Sequence, residues 1–214
     1  MSTDNKLNSD FYMVHSVNQR YNMTRMHHIS RLKKEISEGR VDVQVIPFLL
    51  KVSELPDVFT ASSCAGRIIL LSTNKYEDKK ISTFYKRYHR KITFSELKDD
   101  LQKSTQKEIW FKVEPFIFHF GTKDFDKAKE ILCLAQQMGL KKTGIISVTQ
   151  GKYIVEVNST QYLSLPLKVN GKTIVTDMFL KIIVNRANTK LTQNYARLTL
   201  FEKKFLNKFG RSKK

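Results

Sequence analysis

Glycine is scarce and scattered. The chain has only eight glycines among 214 residues, none adjacent to another. Neither the GxGxxG loop of dinucleotide enzymes nor a phosphate-binding P-loop can be built from them, so a nucleotide-like ligand must be held another way. Cysteine is rarer still. Cys64 and Cys133 stand far apart with no CxxC pair, which supports neither a disulfide framework nor a zinc site, and no metal is expected. No GxSxG elbow is present to raise a serine nucleophile. No apolar run approaches the roughly 18 residues of a bilayer span. The polar start Met1-Ser-Thr-Asp-Asn-Lys lacks the order of a secretory signal, which sets the expectation of a cytoplasmic protein without a membrane partner.

Acidic residues are also few: 20 against 38 lysines and arginines, for a net charge of +18. The excess is patterned. Residues 181–214 hold ten bases against Glu202 alone, and residues 75–91 hold seven against Glu77 and Asp78, whereas residues 41–74 are net −1. Clustered cations are the footprint of a protein that neutralises phosphates. The plain alternative is a solvated basic surface. Within the first tract, Tyr85-Lys-Arg-Tyr-His-Arg-Lys91 interleaves rings with charge. Rings of that kind stack on unpaired bases while cations hold the backbone. Lys86, Arg87, Tyr88, Arg90 and Lys91 are the candidate RNA contacts there, joined by Arg186, Lys190, Arg197, Lys204 and Lys208 near the C-terminus.

A hydrophobic fraction of 41% suffices for a core, and no repeat or low-complexity linker divides the chain. The expected organisation is a frayed segment 1–17, one α+β domain over 18–209 with a mixed sheet, and a mobile basic tail 210–214. Apolar spacing predicts a helix from Asn18 to Glu38 stopped by Gly39. A second helix starts near Asp42 and tolerates Pro47 in its first turns. One strand carries Ser62 to Leu71, followed by a charged connection 73–107 with a short helix capped by Ser95. Strands follow at 109–114 and 116–120, then a helix from Asp124 to Met138 with Cys133 in the core. Strands at 144–149 and 152–157 precede a hairpin over Asn170-Gly171. One long amphipathic helix runs from Asp177 to Lys208.

The most informative stretch is Phe59-Thr-Ala-Ser-Ser-Cys-Ala-Gly-Arg-Ile68. Two hydroxyls, a thiol, a flexible glycine and a fixed cation fall within six residues. Gly66 admits a conformation or an approach that a side chain blocks, and Arg67 offers a planar fork for a carboxylate or phosphate. Two readings stand: the rim of a pocket for an anionic small molecule, or a serine-rich turn entering a strand. His119 interrupts an otherwise apolar strand and needs a hydrogen-bond partner if buried. It is either a satisfied core residue or a catalytic base. His27 and His28 are adjacent on a helix and point apart, which argues against a shared metal.

Taken together, these pieces resemble the tRNA wybutosine-synthesis methyltransferases, in their archaeal stand-alone form. The run at 59–68 is similar to that family's TSSCSGRI-type motif. The likeness continues through Ile109-Trp-Phe-Lys-Val-Glu-Pro-Phe-Ile-Phe-His119, Lys142-Thr-Gly-Ile-Ile-Ser147, Tyr88-His89 and Ala187-Asn-Thr-Lys-Leu191, covering about residues 20–205. Ala61, Ala65 and Thr143 depart from the pattern. The resemblance implies S-adenosylmethionine-dependent methylation of the N(4) ring nitrogen of a wyosine intermediate at position 37 of phenylalanine tRNA. The anticodon arm is then the partner, with no obligate protein partner. It implies cofactor or substrate contacts at Ser62, Ser63, Cys64, Gly66, Arg67, Trp110, Pro115 and Gly144, with His119 or His89 as base. Arg67 would meet an amino-acid carboxylate on cofactor or substrate. The rivals are a non-catalytic RNA-binding module and a nucleophile enzyme pairing Cys64 with His119.

Overall fold

The computed structural model describes residues 3–149 and 151–210. They form two compact units that the chain visits alternately. The first comprises residues up to Cys64, 117–158 and those from Leu200 on; the second comprises 65–116 and 159–199. The expected α+β class and the long C-terminal helix are both present, and the strands sort into two sheets, each antiparallel throughout, in place of one mixed sheet.

In the first unit, helix α1 spans Thr3–Ser37, starting well before Asn18. Its end is a Schellman turn: Gly39 at φ +65° donates to Ile36, and Arg40 donates to Glu35, so the last carbonyls are satisfied. A 3-10 turn over Val43–Val45 leads into α2, Ile46–Ser53, with Pro47 in the first turn. Strands β1 (Phe59–Cys64), β5 (Ile117–Thr122), β7 (Lys152–Asn158) and β6 (Gly144–Thr149) lie in that order across the sheet. Alternation along β5 sends Phe118 and Phe120 into the core. There they meet Phe48, Phe201 and Phe205, with ring centroids 4.7–6.3 Å apart. Helix α4, Phe125–Gln137, is capped by Asp124 and buries Ala128, Ile131, Leu134 and Ala135. Cys133 falls on its solvent side and is exposed, not a core thiol.

The second unit holds β2 (Arg67–Ser72), β3 (Thr83–Tyr88), β4 (Ile109–Glu114), β8 (Leu163–Val169) and the short β9 (Lys172–Thr173), in the sheet order β3-β2-β4-β8-β9. Asn170 and Gly171 both take positive φ, as the β8–β9 hairpin requires. Helix α3, Phe94–Lys103, is capped by Thr93, not Ser95: Thr93 and Glu96 exchange hydrogen bonds in a capping box. Strand β3 lies inside what reads as a charged connection, because Lys86 and Arg87 interrupt its rings and only Tyr85 and Tyr88 pack on the core. Helix α5, Asp177–Phe209, supplies Leu180, Ile183, Val184, Ala187 and Leu191 to this unit's core. Phe179 and Ile182, expected on its apolar stripe, are exposed.

The stretch 59–72 is not one strand. It breaks at Ala65-Gly66, and β1 and β2 join different sheets. Gly66 sits at φ +90°, and a Cβ there would lie 2.5 Å from the Asn194 amide and 2.9 Å from two backbone atoms. The fully buried Asn194 donates to the Ala65 carbonyl and accepts from the Phe116 N–H, both at 2.8 Å. The Phe116 carbonyl in turn accepts from the Ser159 N–H at 3.1 Å. Backbone polar groups at Ala65, Phe116 and Ser159, beside three of the four chain crossings, are thereby paired.

Candidate active site

The sheet of the first unit carries a polar row across four neighbouring strands. Its register pairs Ser62 with His119, His119 with Glu156, and Glu156 with Gly144. Cross-strand partners share a face, so all four residues stand together on the face opposite Phe118 and Phe120. A bulge between Thr60 and Ser62 sets this phase on β1. His119 Nδ1 lies 2.5 Å from Ser62 Oγ, and its Nε2 lies 2.9 Å from Glu156 Oε2. A carboxylate at Nε2 holds the neutral ring's proton there, leaving Nδ1 to accept the serine hydroxyl. Ser62 is exposed, while His119 and Glu156 are about one quarter exposed. A Cβ on Gly144 would meet nothing within 4 Å, so the space beside Glu156 is open.

Helix α1 borders one end of this row. Phe59 packs against Gly121 where any side chain would clash, and His28 stacks on Phe59 at 4.8 Å and 12°. Burial, then the neighbouring His27, Arg31 and Lys152, hold the His28 imidazole below its ordinary value, so it is neutral at neutral pH. A cavity of about 90 Å³ opens between α1 and β1, lined among others by His28, Arg31, Glu35, Arg40, Ser62 and Ser63.

The remaining motif residues are distributed. Cys64 stands in register with Ile117, so the histidine's hydroxyl or thiol partner is Ser62 and not Cys64. Arg67 opens β2 in the second unit, donates to Glu114 at 2.8 Å and lies over the Phe84 ring at 4.7 Å. Trp110 is part of β4; its indole nitrogen is buried with no hydrogen-bond partner among the described residues. Pro115 is buried between β4 and β5. His89 follows β3, and its carbonyl accepts from the Tyr195 hydroxyl at 3.1 Å.

Strand β3 is an edge strand with a charged, aromatic surface. Phe84 is 44% exposed and has Arg67 on one side and Arg87, at 5.1 Å, on another. Lys86 pairs with Asp100 and Arg90 with Glu96 on α3, and Tyr88 bonds Asp100, so these three are engaged within the protein. Arg87, Lys91 and Arg186 are exposed. Arg197 donates to Thr160 at 2.7 Å, and Lys190 is half-buried. In the first unit, Lys204 and Lys208 line an open groove with Lys203 and Asn207. Sequence reasoning missed Glu156, Phe84 and the cavity arginines. Glu156 gave one signal, a lone acid inside an apolar strand. Among the described residues no group of three or more His, Cys, Asp or Glu side chains is placed to hold a metal ion, and no helix is long and apolar enough to cross a membrane.

The family model described as Methyltransferase TYW3 matches residues 20–207. The chain belongs to the TYW3 methyltransferase family. A relative from Thermococcus kodakarensis, named tRNA(Phe) 7-((3-amino-3-carboxypropyl)-4-demethylwyosine(37)-N(4))-methyltransferase 1, is 33% identical over 171 residues, covering 80% of this chain and 86% of that protein. A Pyrococcus furiosus enzyme of the same title, numbered 2, is 33% identical over 81% of this chain and 84% of its own length. Among solved structures, PH1069 from Pyrococcus horikoshii superimposes with a TM-score of 0.82 at 29% identity, covering 87% of this chain and 96% of that one. A hypothetical protein from Aeropyrum pernix matches with a TM-score of 0.66 at 27% identity, over 76% and 96% of the two chains. The TYW3 family match thus spans both units, including the polar row, β3 and most of α5.

Proposed function

We propose that this chain methylates the N(4) ring nitrogen of 7-(3-amino-3-carboxypropyl)-4-demethylwyosine at position 37 of phenylalanine tRNA, with S-adenosylmethionine as donor. The single observation that carries the mechanism is the Ser62–His119–Glu156 row within a methyltransferase family. The donor supplies a methyl group on a sulfonium, a good leaving group once the methyl is attacked in line. The residues present suit it: hydroxyls at Ser62 and Ser63 adjoin a cavity of mixed charge.

The protein's own task is to orient the reactants and to take a proton. Well-oriented reactants gain up to roughly 7–11 kcal/mol over free encounter. As the N(4)–methyl bond forms, the nitrogen's proton passes to Ser62 Oγ while the serine's proton passes to His119 Nδ1. The resulting imidazolium is stabilised by Glu156, which keeps its own proton count unchanged. Ser62 is the only exposed member of the row, so it touches the substrate, and Glu156 positions the ring. His119 is favoured over His89 because both its nitrogens are committed in this sense.

The same three groups would also serve an acyl-transfer nucleophile, and family membership favours methyl transfer. The base reaches the site by leaving its stack in the anticodon loop, at a cost of a few kcal/mol. We assign the tRNA backbone to the exposed cations of β3 and α5, with Phe84 as a stacking surface for an unpaired base. A tRNA substrate places the reaction in the cytoplasm. Mass spectrometry of tRNA nucleosides, after incubation with donor and precursor tRNA, tests the reading: a 14-dalton gain on the wyosine nucleoside is expected from the mass of one CH2, of order one methyl per tRNA. An unchanged nucleoside alongside intact tRNA binding would leave the RNA-binding module.

A further inference from the structure

The cavity beside Ser62 has a composition that the reaction above does not explain. It is walled by α1, by the turn after Gly39 and by β1. Its volume of about 90 Å³ corresponds to about three water molecules of liquid volume. Whole-ligand pockets run to about 300–1,000 Å³, so this cavity suits one end of a ligand, such as a small polar head group.

Its charges are of both signs. Arg31 and Glu35 are one turn apart on α1 and form an ion pair at 3.0 Å. Arg40 reaches the same cavity because the Schellman turn folds the chain back, its N–H bonding the Glu35 carbonyl at 2.9 Å. Its guanidinium pairs with Glu38. His28, Thr60 and the β1 serines add neutral donors and acceptors to the lining. A free phosphate would suit the arginines and be repelled by Glu35. An alkyl ammonium would suit Glu35 and be repelled by two guanidiniums. A group carrying both a carboxylate and an ammonium on one carbon satisfies all three.

Resting on the methyl-transfer reading, we propose that this cavity binds an α-amino-acid head group, its carboxylate between Arg31 and Arg40 and its ammonium on Glu35. The cavity wall includes Ser62, so the head group anchors its ligand at the end of the proton-accepting row. Two ligands of the proposed reaction carry such a group: the methionine end of the donor and the 3-amino-3-carboxypropyl chain of the substrate base.

Calorimetry tests the assignment in two arms. The first compares S-adenosylmethionine with its decarboxylated form, in the wild type and in an Arg31→Gln, Arg40→Gln double variant. The second compares tRNA carrying 7-(3-amino-3-carboxypropyl)-4-demethylwyosine with tRNA carrying 4-demethylwyosine, in the same two proteins. In one arm, losing the carboxyl group or the side chain that bears it weakens wild-type binding about 10–100-fold, and the double variant no longer distinguishes the pair. A donor-arm effect assigns the cavity to the cofactor; a tRNA-arm effect assigns it to the substrate. If neither arm loses its discrimination in the double variant, the proposal is overturned. Should the double variant lose its far-UV circular dichroism, Glu35→Gln decides instead: it weakens the same ligand about tenfold but not the ligand's des-amino analogue. Retained discrimination in the double variant with wild-type methylation intact sinks this proposal alone, whereas absence of methylation in the wild type sinks the reaction.

Discussion

The two halves of one short motif behave differently. Ser62, Ser63 and Cys64 lie on β1, in a sheet whose second face is polar and partly open. Gly66 and Arg67 lie at the start of β2, in a sheet whose neighbours seal them. Upstream, side chains are arranged around reactive atoms: a hydroxyl, an imidazole and a carboxylate in one hydrogen-bonded row. Downstream, they are arranged around the backbone: Asn194 pairs the chain crossing, and Glu114 holds Arg67. Neighbours in sequence thus enter different sheets. The glycine that looked like part of a ligand cradle is required by the close approach of Asn194 and by its positive φ.

The comparison breaks first at Gly66. Alanine there must displace a buried amide and backbone atoms while holding a left-handed φ, at a cost of about 3–5 kcal/mol. Denaturant unfolding of Gly66→Ala measures it, and a loss below about 1 kcal/mol would return Gly66 to a ligand-binding role. On the other half, Glu156→Gln leaves stability within about 1 kcal/mol but slows methyl transfer about 10–100-fold, because the ring loses the charge that stabilises its imidazolium. A slower rate that follows a lower melting temperature would make Glu156 a structural residue.

A second contrast concerns Arg67. Its guanidinium faces Phe84, and removing that ring takes away a stacking surface worth about 1–3 kcal/mol per base. Phe84→Ala accordingly weakens tRNA binding about tenfold without altering affinity for S-adenosylmethionine, as read by fluorescence anisotropy and calorimetry. Arg67→Ala shows the same pattern at smaller amplitude. If either variant loses donor affinity and keeps tRNA affinity, Arg67 belongs with the small molecule.

The smallest effect separates two carboxylates of the first unit. Glu156 has an imidazole beside it, whereas Glu202 has an oxygen buried with no hydrogen-bond partner among the described residues. Burial raises the Glu202 carboxyl from 4.5 to about 7. Between those values the folded protein keeps a proton that the unfolded chain has released, so stability falls as pH rises through this window. Allowing for its partial exposure, the cost above the window is about 1 kcal/mol. Glu202→Gln melts higher than wild type at pH 8 and at about the same temperature at pH 4. Equal melting at both would show a solvated carboxylate.

Much of the fold was legible because periodicity and capping are local. The apolar spacing of α5, the Asp124 cap, Gly39 and Asn170-Gly171 each carry their own signal. What sequence could not show is set by pairing. Nothing local announces that Ser62 and Leu71 belong to different sheets, since a strand break needs only one glycine and a distant asparagine. Glu156 entered the row through register, and β3 hid because Lys86 and Arg87 separate the two tyrosines that face the core. Arg31, Glu35 and Arg40 read as an ordinary charged helix end until the chain folded them towards β1. The histidine was legible as an anomaly; its partners were not.

In the proposed mechanism the Ser62–His119–Glu156 row accepts the proton released as the methyl group is transferred. Single-turnover methyl transfer by His119→Ala, at saturating donor and precursor tRNA, addresses it most directly. A fall of about 10²–10³-fold is expected with tRNA affinity retained, and partial recovery when free imidazole is added. A rate within about threefold of wild type would contradict it.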